Sequence, residues 1–367
     1  MPRQAPCVLP LTDSSAAWVS MALRGLAVKL FSRMQSQFDY ARRHQRTVLY
    51  HLTPRKLANI LQNELEMRAL AGTLKSRPFF IKIEPTLRCH LRCTGCPFHG
   101  PSTEGLTTRL HMTLAEFKRL VDPLADVLLG ISLSLRGDSL HAPELLDMVR
   151  YCHERNIGTA FPTNFSYKLS DEKIEELVEC GLDHLMISLD GTTQEAYEQY
   201  RRGGNLDLIL DNCRRLIAAK KRRGAVRPFL EWKFVRFAHN RHQLEDARRM
   251  AGEMGFDRFS WMEDHQETYQ RTVAQSNAGA ARLKRGTPCF WLYRTMVICW
   301  DGRVLPCCND HFDLGTAGEQ GVLDIWNGPQ FQELRRMFRT GIVTGANGQI
   351  CERCPEYWGS VFYRQTN

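Results

Sequence analysis

From residue 79 onward the chain switches repeatedly between two hydrophobic periods. Short apolar runs at 79–86 (FFIKIEPT), 127–135 (VLLGISLSL), 158–164 (GTAFPTN), 184–190 (HLMISLD), 229–237 (FLEWKFVRF) and 256–262 (FDRFSWM) read as strands. Between them lie amphipathic stretches with helical spacing: 113–124, 142–156, 170–181 with Ser170 as N-cap, 194–200, 206–222 and 241–255. Six strands alternating with helices imply parallel βα units and an α/β fold. Six units suit a partial or opened (β/α)6 barrel better than the closed eightfold form. In such a fold, reactive residues belong at strand C-termini and in the loops that follow. Cys89, Cys93 and Cys96 fall in the loop after the first strand.

Outside this core the pattern changes. Residues 15–37 read as a helix, but Arg24, Lys29 and Arg33 interrupt its apolar run, so it is too broken to span a bilayer. It suits either packing on its own protein or lying in a membrane interface. Residues 52–70 predict a second helix, with Thr53 as N-cap and Pro54 in the first turn. After residue 263 the alternation stops, and 267–288 is polar and small, as a linker is. The expected organisation is a basic helical arm over 1–76, a barrel over 77–266, a linker over 267–288 and a cysteine-bearing C-terminal domain over 289–367. No internal repeat is visible.

Charge sharpens this division. The 367 residues carry a formal charge of +9. Residues 1–77 hold twelve Lys and Arg against four acidic residues, an excess of +8. The basic balance therefore belongs to the arm, and it is no sign of a nucleic-acid groove on the main domain; no nucleic-acid partner is expected. Thirteen cysteines are many for this length. The first residues, MPRQAPCVLPLTDSS, lack a signal-peptide h-region, so a cytoplasmic location, reduced thiols and metal binding are expected.

Three thiols spaced C-x3-C-x2-C leave one coordination position open. A structural zinc site fills four positions from the protein. A catalytic metal, or a 4Fe–4S cluster with one iron free, needs the opening. The stretch CHLRCTGC (89–96) resembles the signature of the radical SAM superfamily, and the likeness continues through RGDSLHAPEL (136–145), PTN (162–164) and MISLDGTTQEAYEQYRRGGNLDLIL (186–210). Residues 289–354, with CFWLYRTMVICWDGRVLPCC, LDIWNG (323–328) and CERC (351–354), resemble the SPASM domain. The resemblance covers about 79–356.

This resemblance implies a 4Fe–4S cluster on Cys89, Cys93 and Cys96 whose free iron is chelated by S-adenosylmethionine. It implies reductive cleavage of that cofactor, by an electron from an external one-electron reductant, to a hydrogen-abstracting 5′-deoxyadenosyl radical. Gly137 and Asp138 stand where the family contacts the methionine amino group, with Asp in place of Glu and Ser139 in place of Pro. Thr163, Asn164, Ser188 and Asp190 match positions contacting the ribose and methionine parts. Arg201 matches an arginine that pairs with the cofactor carboxylate, against the plainer reading of a solvated loop arginine. Cys289, Cys307, Cys351 and Cys354 match the ligands of one auxiliary 4Fe–4S cluster, although four thiols also suit zinc. Cys7, Cys152, Cys180, Cys213 and Cys299 are read as unliganded.

The family includes peptide maturases and enzymes of sugars and other small molecules, and the motifs leave the substrate unidentified. No catalytic acid or base is named. Glu231, Lys233 and Glu263 lie in or near strands facing the mouth. A non-catalytic electron-transfer or zinc protein is the rival from another class; it leaves the segments at 136–145, 162–164 and 186–204 unexplained. The arm, with Trp18, Leu26, Leu30 and Phe31 among its cations, offers a contact to the membrane surface.

Overall fold

The structure is a computed structural model, and it describes residues 50–96, 109–264, 285–286, 288–308, 313–344 and 351. Residues 15–37 lie outside them. Eight strands form one sheet in the order β6-β5-β4-β3-β2-β1-β7-β8. The first six are β1 (Phe80–Ile83), β2 (Gly130–Leu133), β3 (Gly158–Thr163), β4 (His184–Ser188), β5 (Phe229–Arg236) and β6 (Arg258–Glu263). All pair in parallel with their chain neighbours.

Period-two alternation gives this sheet two unlike faces. Ile81, Ile83, Ile131, Leu133, Phe161, Leu185, Ile187, Leu230, Trp232 and Phe234 are buried and join the helices in one apolar core. The alternate positions carry Lys82, Ser132, His184, Met186, Ser188, Glu231, Lys233 and Ser260. A wholly apolar second face would call for another helical layer. This mixed one suits the concave side of an open barrel.

The helices begin where the sequence supplies caps. Thr113 and Glu116 form a reciprocal capping box at the start of Leu114–Val121. Ser170 caps Asp171–Glu179, Thr193 caps Gln194–Tyr200 and Asn205 caps Leu206–Arg222.

Two features extend beyond the six-strand expectation. The C-terminal region contributes β7 (Thr295–Ile298) and β8 (Val304–Leu305) to the same sheet. β7 runs parallel to β1, with Phe80 opposite Thr295 and Ile83 opposite Ile298, and β8 returns antiparallel to it. A four-residue apolar run among cysteines is too short to show a period, which is why it escaped the sequence reading.

The second feature concerns residues 50–76. The helix Pro54–Arg68 forms as predicted, with Thr53 accepting from the Lys56 amide and proline in the first turn. It is built into the body of the fold. Asn63 donates to Tyr293 O and to Ser76 Oγ, and Arg294 pairs with Glu64 at 2.6 Å. Trp326 Nε1 donates to Ser76 O at 3.0 Å, and the Asn327 amide brackets both backbone groups of Leu74. Arg335 is fully buried and donates to the carbonyls of Leu292, Trp326 and Gly72. Burial lowers its guanidinium to about 10. Trp326 and Asn327 of LDIWNG thus fasten the N-terminal strap to the C-terminal domain.

Candidate active site

The loop after β1 is held from three sides. Leu87 N donates to Leu110 O and Met112 N to Pro85 O, pinning its root. Leu91, 2% exposed, is the apolar plug between Cys89 and Cys93. Arg92 N donates to Arg202 O at 2.9 Å and Thr94 N to Tyr200 O at 2.8 Å, tying the loop to the end of the helix after β4. Gly95 takes φ +77°, and Cys96 N turns back to Cys93 O. A residue with a Cβ is strained there.

Gly137 provides the closest approach. A Cβ on it would lie 2.5 Å from Thr86 O, 2.6 Å from Arg88 O and 2.7 Å from Leu87 C, all backbone atoms. The adjacent Asp138 amide donates to Arg88 O at 2.8 Å. The loop bearing Cys89 therefore rests on the segment that follows β2.

The buried Asp138 carboxylate accepts from Thr163 Oγ1 at 3.0 Å and from the Asn164 amide at 2.7 Å, joining the ends of β2 and β3. Asn164 Oδ1 accepts from Ser166 N, and its Nδ2 lies 3.9 Å from Cys89 Sγ. Fully buried Asp190 accepts from Val235 N at 2.6 Å and from Arg201 Nε at 2.6 Å. Arg201 Nη1 is 3.9 Å from Cys93 Sγ. Ser188 is half-buried at the end of β4, and among the described residues no hydrogen bond ties it to the other six cofactor-motif positions.

The sequence-predicted positions therefore split into two braced groups, Asp138–Thr163–Asn164 beside Cys89 and Asp190–Arg201 beside Cys93. Arg201 is no solvated loop residue: its side chain is 16% exposed and ion-paired. Cys93 is buried and Cys96 half-buried, while Cys89 is exposed. Burial pushes the Cys93 thiol above its ordinary range, and the Arg201 guanidinium pulls it back. Metal loading at this thiol must release a proton.

At the C-terminal end, Cys289, Cys307 and Cys351 are each half-buried, and Cys354 lies outside the described residues. Cys308 is half-buried like its neighbour Cys307. Among the described residues no three His, Cys, Asp or Glu side chains stand gathered at metal-binding geometry.

Sequence reasoning missed two features here. Fully buried Glu84, at the end of β1, forms a two-point ion pair with Arg136 at 2.8 and 2.6 Å and accepts from Trp300 N at 3.4 Å. A charged residue closing an apolar strand was the available signal. The second is a ring cluster: His90 Nδ1 and His141 Nε2 are 3.0 Å apart, and both rings pack edge-on against Tyr167. Its members lie 26 or more positions apart in sequence, so no local pattern shows it.

Comparison with known proteins decides the family. Residues 83–229 match the Radical SAM superfamily and residues 289–355 match SPASM, an iron-sulfur cluster-binding domain. This chain belongs to the radical SAM superfamily and carries a C-terminal SPASM domain. A radical SAM/SPASM chain is an enzyme whose cofactors are a SAM-binding 4Fe–4S cluster, an auxiliary cluster and S-adenosylmethionine. It is 25% identical over 322 residues to a PqqA peptide cyclase of Gluconobacter oxydans, covering 78% of this chain and 86% of that one. It is 27% identical over 128 residues to an AdoMet-dependent heme synthase of Methanosarcina barkeri, covering 35% of this chain and only 36% of the relative's length. The crystal structure of Streptococcus suis SuiB shares the fold, with a TM-score of 0.58 and 17% identity over 82% of this chain and 80% of that chain.

Proposed function

We propose that this enzyme reductively cleaves S-adenosylmethionine at the mouth of its barrel and abstracts a hydrogen atom from a peptide. The observation that carries the reading is the loop 89–96. Its three thiols sit at the C-terminal end of β1, with Gly95 and Gly137 at points where a Cβ would be strained or collide. Thiol donors with an open fourth position fit a site-differentiated iron–sulfur cluster. A cluster held by Cys89, Cys93 and Cys96 would, when bound and reduced, supply the one-electron chemistry for cofactor cleavage and hydrogen abstraction.

The chain's own residues bind and orient. Cys89, Cys93 and Cys96 hold the SAM-binding cluster. Gly137, Asp138, Thr163, Asn164, Ser188, Asp190 and Arg201 shape the cofactor cradle. Cys289, Cys307, Cys351 and Cys354 hold the auxiliary cluster. The barrel runs over 77–266 and the auxiliary domain over 289–367, joined by 267–288. The peptide assignment draws on the PqqA peptide cyclase, a relative that spans most of this chain, and on SuiB, whose fold has also been solved with its precursor peptide SuiA. A sugar, a lipid-linked group or another small molecule is the alternative substrate class. An external one-electron reductant completes the reaction, in a cytoplasmic setting, and the basic segment before residue 50 brings the enzyme to anionic membrane surfaces.

Anaerobic reconstitution should give about eight irons per chain, four in each cubane. Replacing Cys89, Cys93 and Cys96 together by alanine should halve that number and abolish 5′-deoxyadenosine formation. Wild-type iron in the triple variant would defeat the assignment. For the substrate, reconstituted enzyme with S-adenosylmethionine and dithionite is incubated separately with short peptides encoded beside its gene and with a peptide-free small-molecule extract. A mass change confined to the extract would replace the peptide by a small molecule.

A further inference from the structure

Two polar side chains approach the cysteine loop at sulfur. Asn164 reaches Cys89 from the end of β3, and Arg201 reaches Cys93 from the helix after β4, each at 3.9 Å. Among the described residues no such donor is aimed at Cys96. Neither approach is accidental. Asn164 is fixed by accepting the Ser166 amide, and Arg201 by its 2.6 Å pair with Asp190, which Val235 N anchors in turn. With Nε committed to Asp190, Nη1 is the guanidinium nitrogen that faces Cys93. The resemblance implies that this arginine serves the cofactor carboxylate; its geometry here aims it at a thiol.

We propose that Arg201 and Asn164 donate N–H···S hydrogen bonds to Cys93 and Cys89 in the loaded enzyme, and so raise the reduction potential of the SAM-binding cluster. Asp190 is the positioning residue for Arg201. The inference rests on the proposed ligation of a cluster by Cys89, Cys93 and Cys96. Reduction adds negative charge that spreads onto the sulfurs, so donors and a nearby cation stabilise the reduced form more than the oxidised one. A cluster that must be reduced before it can act gains from this.

The test is an EPR-monitored redox titration of the full, anaerobically reconstituted chain, without S-adenosylmethionine. The auxiliary cluster serves as reference within the same molecule. Arg201→Lys keeps the charge beside Asp190 but loses the forked donor. Asn164→Ser keeps an acceptor for the Ser166 amide but loses the reach to Cys89. Each is expected to lower the midpoint of the SAM-binding cluster by the equivalent of about a tenfold loss in the reduction equilibrium, about 59 mV for one electron. Iron content and the auxiliary midpoint should stay at wild-type values. An unmoved midpoint in both variants overturns the proposal, and with weakened S-adenosylmethionine binding in Arg201→Lys it returns that residue to the cofactor carboxylate. Should Arg201→Lys fail to hold iron, Asn164→Ser decides alone. If replacing the three cysteines by alanine removes no cluster, the ligand assignment itself has failed, a result distinct from an unmoved midpoint.

Discussion

At the scale of single residues, the tightest constraint is Gly137. Its missing Cβ lets the segment after β2 lie against the backbone of 86–88, one residue before the first cysteine. The obstructing atoms are main-chain, so no rotamer change relieves the clash. Gly137→Ala is expected to displace the loop, to cost about 1–3 kcal/mol of stability as overpacking does, and to lower iron from about eight toward about four per chain. Iron quantitation beside a denaturation curve checks both. A variant retaining full iron would mean that the loop tolerates the shift. Arg201 carries a different lesson. Its sequence context, YRRGG, matches a cofactor ligand while leaving an exposed charge as the plainer alternative, because a one-dimensional pattern does not reveal that Asp190 lies at 2.6 Å.

At the scale of elements, most of the barrel was legible. Each of the six strands and the helices between them appears where period and caps place it, usually shorter by a few residues at the ends, where fraying and loop geometry take over. The three loop thiols stood out by their C-x3-C-x2-C spacing after a strand, and the segments 136–145, 162–164 and 186–204 by the family resemblance. What stayed hidden depends on distance in sequence. The pairing of β7 with β1 joins positions 215 residues apart, Phe80 and Thr295. The Glu84–Arg136 ion pair and the Trp300 amide that joins it knot the ends of β1, β2 and β7. Glu84 is fully buried, so removing its partner leaves a buried charge unpaired. Arg136→Ala should destabilise the fold by about 3–5 kcal/mol. Arg136→Ala combined with Glu84→Gln should recover part of that loss, measured by chemical unfolding of both variants. Equal losses in the single and double variants would show that the charge pair is unimportant to the junction.

At the scale of the molecule, the N-terminal boundary moves. Of the excess charge before residue 78, Arg55 and Arg77 pair with Asp126, Arg68 pairs with Glu64, and the buried Lys56 amine donates to Asn156 O. Residues 1–49 retain seven cations against two acids, an excess of +5. A truncation that tests the membrane proposal must therefore start near residue 50. Lacking only 1–49, the protein should keep its fold and iron and lose its salt-sensitive flotation with anionic vesicles. A chain starting near Leu74 loses the helix Pro54–Arg68, with its Asn63 contact to Tyr293 O and its Glu64–Arg294 pair, and the Gly72 carbonyl that Arg335 reaches, and should aggregate. No helix among the described residues is long and apolar enough to cross a membrane.

The late pairing of β7 also has a consequence during synthesis. Until Thr295 leaves the ribosome, β1 has no neighbour on one side, and its unpaired amides and carbonyls form an open sheet edge. At about 5–20 residues per second, those 215 residues take roughly 10–40 s to translate. Throughout that interval the nascent barrel displays a strand edge next to a loop of reduced thiols. Chains halted before Thr295 should accumulate in inclusion bodies, and a chain extended just past Leu305 should be the first released in soluble form. The C-terminal domain thus covers the β1 edge that the first six strands leave open, replacing a four-residue edge with the two-residue β8, and the nascent enzyme gains that cover only once the chain has run more than 200 residues past β1.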